Sequence, residues 1–139
     1  MTDGVQAQLD TAAVRQKIEQ QQFIFRAQTA MPMKGRSINL TTSYDLRVTT
    51  DSLISYLPYF GRAYTAPINP SEAGLQFTSV NFEYNARFRK KKWEVTMRPR
   101  DYLDIQELSL TVFSNGRASL RVTSNSRQPI TFDGYLVEK

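Results

Sequence analysis

From Phe23 onward, apolar residues recur at every second position, the spacing of strands with one face in a core. Phe23, Phe25 and Ala27 alternate, and the turn residues of Met31-Pro32-Met33-Lys34-Gly35-Arg36 end that run. Ile38, Leu40, Tyr44, Leu46 and Val48 share one parity; Thr50-Asp51 turns the chain and Leu53 to Leu57 returns. Leu75 and Phe77 have the opposite parity to Phe82, Tyr84, Ala86 and Phe88, which predicts a bulge or corner near Thr78-Ser79. A last strand spans Ile130 to Leu136.

Two hairpins follow from parity. Pairing Phe88 with Trp93, Ala86 with Val95 and Tyr84 with Met97 puts all six on one face and leaves Arg89-Lys90-Lys91-Lys92 as the turn. Around Ser114-Asn115-Gly116, a two-residue turn would set Val112 against Ser119 and expose half of the apolar set. A three-residue loop with Gly116 left-handed pairs Val112 with Ala118 and Leu110 with Leu120, so parity selects the bulged form. Phe88, Trp93, Val95, Met97, Leu110 and Leu120 are accordingly expected in one core.

Residues from Asp3 to Gln22 read as a helix, with Asp3 or Asp10 as its cap. Its apolar stripe is poor. Val5, Leu9, Ala12 and Ala13 share one side, while Val14 and Ile18 lie nearly opposite. The expected division is a helical tether over 1–22 and a single antiparallel β domain over 23–139. The fold class is mainly β: an antiparallel meander of about eight strands, curled into a barrel-like core, with a sandwich as the second choice.

Composition then narrows the chemistry. The chain of 139 residues contains no Cys and no His. Thiolate nucleophiles, disulfides, Ser-His-Asp triads and zincin motifs are therefore excluded. No cofactor and no metal site is expected, and a non-catalytic protein is favoured over an enzyme. Net charge is +5, concentrated in Arg87, Arg89, Lys90, Lys91, Lys92, Arg98 and Arg100. No stretch approaches the roughly 20 apolar residues of a membrane span.

Three stretches combine into a resemblance. They are Met31 to Ser37, Tyr56-Leu57-Pro58-Tyr59-Phe60-Gly61-Arg62-Ala63-Tyr64, and Thr123 to Ile130 with Phe132 and Gly134-Tyr135. Together they resemble the bacterial domain-of-unknown-function family 4251. The resemblance implies a cell-envelope or periplasmic protein whose export segment is absent from this chain; the lipid-anchor cysteine frequent in such proteins is missing here. It carries over no activity, cofactor or catalytic residue.

Four groups of residues are candidates for function. In the aromatic connection, Tyr56, Tyr59, Phe60 and Tyr64 with Arg62 are suited to stacking on a sugar or gripping a peptide. The more economical reading is a plug folded over the barrel end. Arg36 and Arg127, each in a turn, can fork onto a ligand carboxylate or fix a loop. These seven residues form the expected binding surface, with an envelope glycan, peptide or protein as partner. The basic run Arg87 to Lys92 suits nucleic acid, but Trp93 faces away from its charges, so a solvated turn is preferred and nucleic acid is not the expected partner. Asp101, Asp104 and Glu107 are spaced by three, as glycosidase carboxylates can be; a polar turn with Arg98 and Arg100 as partners is preferred. The competing functions are thus a carboxylate-dependent hydrolase and a basic nucleic-acid-binding module.

Overall fold

The computed structural model describes residues 10–33, 35–60 and 75–137. Among these residues are one helix, α1 (Thr11–Gln20), and nine strands. These are β1 (Phe23–Pro32), β2 (Ile38–Val48), β3 (Leu53–Leu57), β4 (Leu75–Ser79), β5 (Phe82–Arg89), β6 (Lys92–Pro99), β7 (Ile105–Phe113), β8 (Arg117–Ser124) and β9 (Ile130–Leu136). All join one antiparallel, barrel-like sheet in the order β4-β3-β2-β1-β9-β8-β7-β6-β5.

The closure of this sheet follows from that order. β4 and β5 stand at its two ends, yet only Val80 and Asn81 lie between them. From Ser79 to Phe82 the chain reaches roughly 11 Å at most, so the sheet must curl until its ends meet. β4 pairs with β3 as far as Ser79↔Leu53, and β5 takes up β6 from Phe82↔Pro99. One continuous run therefore serves first one end of the sheet and then the other. The inward parity changes at the corner, from Leu75, Phe77 and Ser79 to Phe82, Tyr84 and Ala86. This is the corner that the parity mismatch predicts.

The corner is pinned from the β6–β7 connection. Asp101 accepts hydrogen bonds from the Ser79 hydroxyl and from Val80 N (2.8 Å). Arg100 N donates to Asn81 O (2.8 Å), and Phe77 stacks on Tyr102 with ring centroids 4.8 Å apart.

Both hairpin registers match the sequence analysis. Val112 faces Ala118, Leu110 faces Leu120, and Gly116 has φ 94°. In β5–β6, Phe88 faces Trp93, Ala86 faces Val95 and Tyr84 faces Met97. Lys90 and Lys91 make the turn with φ 56° and 67°, the double left-handed geometry of a type I′ turn.

One core expectation fails. Trp93, Val95, Met97, Leu110 and Leu120 are buried, but Phe88 remains 46% exposed. β5 is the last strand in the sheet order, so it has a strand neighbour on one side only, and the Phe88 ring near its end meets Trp93 but stays partly uncovered among the described residues.

β1 also departs from the pattern. It runs on to Pro32, and its inward parity changes between Ala27 and Ala30 because Gln28 is an extra residue against β9; on the other side, Leu40 to Ser43 of β2 stand opposite Gln28 alone. At this bulge the β1 backbone presses on Gly134: a Cβ there would lie 1.9 Å from the Arg26 carbonyl oxygen. Glycine is required here by close approach rather than by φ.

Asp10 caps α1, its carboxylate accepting from Ala13 N at 2.7 Å. The helix docks through Val14 and Ile18, one turn apart and both buried in the core. Tyr84 on β5 donates its hydroxyl proton to Ile18 O (2.8 Å), and Gln21 Nε2 reaches Thr49 O (3.1 Å). Burial pushes the Tyr84 phenol well above its ordinary pKa, so it stays a donor. Val5 and Leu9 lie outside the described residues.

Candidate functional site

The end of β1, the end of β3 and the β8–β9 connection meet at one end of the barrel, because Pro32 pairs with Ile130 and the chain after β3 crosses toward residue 128. Tyr59 makes that crossing. Its hydroxyl donates to Gln128 O (2.9 Å), and the Arg127 guanidinium lies over its ring, 5.0 Å from the centroid. Residues 69 apart in sequence are thereby joined. The cation over the aromatic face is a favourable electrostatic contact. Tyr59 and Phe60 are half-buried and pack against the core, the disposition of a cap over the barrel end.

Three other candidate residues have different settings. Tyr56 points outward from β3, 44% exposed, with its ring 5.5 Å from that of Tyr44. Arg36 is exposed in the β1–β2 turn, beside Gly35 with φ 102°. Arg62 and Tyr64 lie outside the described residues. Thus the fold brings Tyr59 and Arg127 into contact and leaves Tyr56 and Arg36 as separate exposed side chains.

The β8–β9 connection is itself anchored. Asn125 N donates to Asp104 O (2.8 Å), Asn125 Nδ2 to Leu103 O (2.9 Å), and the Ser126 hydroxyl to the Asp104 carboxylate (2.8 Å). Sequence reading missed this brace, for which the Ser-Asn-Ser composition of residues 124–126 was the available signal.

Each acidic candidate has a structural task. Asp101 holds the β4–β5 corner, Asp104 holds the β8–β9 connection, and Glu107 pairs with Arg98 at 3.0 Å. The Ser79 hydroxyl and the Val80 N–H keep the Asp101 carboxyl below its ordinary pKa. A glycosidase acid needs the opposite shift. Arg100 pairs with Glu83 (3.3 Å), outside the acidic set. Among the described residues no group of three acidic or metal-ligating side chains converges on a cation position.

In the basic hairpin, Trp93 is 7% exposed and inward. Its ring meets Phe88 at 5.3 Å, and it cannot stack on a base. Arg87 pairs with Glu94 (3.7 Å).

The fold and these loops define a mostly β domain, a nearly closed barrel-like antiparallel sheet with one helix near the N-terminus. The chain belongs to the family Domain of unknown function (DUF4251), whose model matches residues 5–136. It is similar in structure to a DUF4251 family protein from Bacteroides eggerthii DSM 20697, with a TM-score of 0.66 at 16% identity, over 91% of this chain and 86% of that one. At that identity the likeness speaks for the fold. No functionally curated protein matches the chain. Among the described residues no helix is long and apolar enough to cross a membrane.

Proposed function

We propose that this protein is a non-catalytic binding or interaction domain of the bacterial cell envelope, and that it meets its partner at the loop end of the barrel. The observation that carries this reading is the joint of Tyr59, Arg127 and Gln128. It gives a flat aromatic surface and a positive fork fixed positions on a rigid sheet, with Phe60 packed against the core and Arg36 exposed in the β1–β2 turn. Such a mixture suits an anionic glycan or a peptide carboxylate. Arg62 and Tyr64 are proposed for the same surface on their place in the sequence. The envelope location rests on the family resemblance and is tested by fractionating cells that make the protein.

The experiment for the site is a glycan and peptide screen, repeated with Tyr59→Ala, Arg62→Ala, Arg36→Ala and Arg127→Ala. Tyr59→Ala and Arg62→Ala are expected to weaken the ligand found by more than about 1 kcal/mol, with the fold intact by circular dichroism. A ligand indifferent to all four changes would place the working surface elsewhere and leave the aromatic segment as a cap.

A further inference from the structure

We propose that the open edge of β5 is a docking strand for an extended, acidic segment of a partner protein, which adds to the sheet as a tenth strand. Three observations carry this, independently of the loop end. The first is the state of the backbone. With a two-residue turn at Lys90-Lys91 and Arg89 paired to Lys92, the odd-numbered residues of β5 exchange hydrogen bonds with β6. The bond from Arg100 N to Asn81 O keeps the same phase at the other end of the strand. The N–H and C=O groups of Tyr84, Ala86 and Phe88 therefore point away from β6, and β5 is the last strand in the order. Tyr84 anchors α1 through its inward side-chain hydroxyl, and among the described residues no backbone partner is found on the outer edge of Tyr84, Ala86 or Phe88.

The second observation is the exposed ring of Phe88 on the inward face of the same segment. An added strand running beside Tyr84 to Phe88 would set alternate side chains against that ring and Ala86.

The third is charge. Glu83 and Glu94 are already paired, with Arg100 and Arg87. Arg89, Lys90, Lys91 and Lys92 have no ion-pair partner among the described residues. This cluster repels a second copy of a basic chain and attracts an acidic strand. The same lysines that prevent edge-to-edge aggregation thus select the strand that is admitted.

The test uses a fluorescently labelled nine-residue peptide alternating Val or Tyr with Asp or Glu, titrated with the full chain. Binding is expected, weakening by about tenfold or more between about 50 and 300 mM salt as the rim charges are screened. Ala86→Pro removes an edge N–H that the sheet does not use, so the fold is expected to persist while affinity drops by about tenfold or more. Lys90→Asn with Lys91→Gly keeps the turn and removes two charges, and should weaken the peptide severalfold. As an arm that needs no variant, the peptide N-methylated on one alternate set of amides should bind and the other set should not. Absence of binding overturns the proposal, as does equal affinity for both methylated sets. Indifference to Ala86→Pro in a folded variant also overturns it. So does equal binding of a single-stranded oligonucleotide, which would mark a charge-only surface, or a self-association of the wild type abolished by Ala86→Pro.

Discussion

The two hairpins β5–β6 and β7–β8 obey one rule and have opposite fates. Each is read from inward parity, and each has the register that parity dictates. In β7–β8 the inward residues Leu110, Val112, Ala118 and Leu120 are buried, because β6 and β9 flank the pair on both sides. In β5–β6 the same logic points Phe88 inward, yet it stays half-exposed at the end of the sheet. Parity sets the direction of a side chain; topology decides whether anything covers it. The turns differ likewise. Gly116 takes a positive φ at little steric cost, whereas Lys90 and Lys91 both hold left-handed geometry at about 1 kcal/mol or more each.

Four measurements bear on this contrast. Trp93 stands at its boundary, paired to Phe88 on one side and Val112 on the other. Trp93→Ala should cost roughly 3–5 kcal/mol in chemical denaturation, the range for a large aromatic cavity, and Phe88→Ala less than about 1 kcal/mol. Equal losses would mean that β5 is as covered as β7. In the covered wall, Gly134→Ala drives a methyl into the Arg26 carbonyl; about 3 kcal/mol of destabilisation is expected, at the top of the usual overpacking range. A loss below about 1 kcal/mol would show that the β1 bulge yields.

In the open hairpin the sign reverses. Lys90→Asn with Lys91→Gly should stabilise by roughly 1 kcal/mol, since these residues accept the turn geometry that lysine resists. The smallest effect concerns Asp101 at the corner. Its folded pKa is lowered, so its contribution is fully present above the unfolded carboxyl value, near 3.9, and is lost as pH falls through the folded value. Asp101→Asn should therefore flatten the acid limb of stability against pH; an unchanged limb would remove Asp101 from the account of the corner.

Much of this was legible in the chain. Alternation located the strands, fixed both registers and flagged the corner between Phe77 and Phe82, because burial on one face leaves a period-two trace. Three features were not legible. That β4 and β5 form one run serving both sheet ends depends on pairings distant in sequence. The bulge at Gln28 and the need for Gly134 arise from the approach of two backbones, which no side-chain pattern records. The exposure of Phe88 depends on β5 standing last in the sheet order. At the loop end, Tyr59 and Arg127 were singled out separately, by aromatic content and by motif, but their contact is a product of the barrel. Docking of α1 through Val14 and Ile18 was half-visible in its split stripe.

Amide hydrogen exchange along β5, residue by residue, tests the open edge most directly. In β5 the amides of Asn85 and Arg87 should be protected, and those of Tyr84, Ala86 and Phe88 should exchange faster by about tenfold or more, while the amides of β7 and β8 are protected without alternation. Uniform protection across Tyr84 to Phe88 would show that the edge is already occupied, and would contradict both the exposure of β5 and the docking strand built upon it.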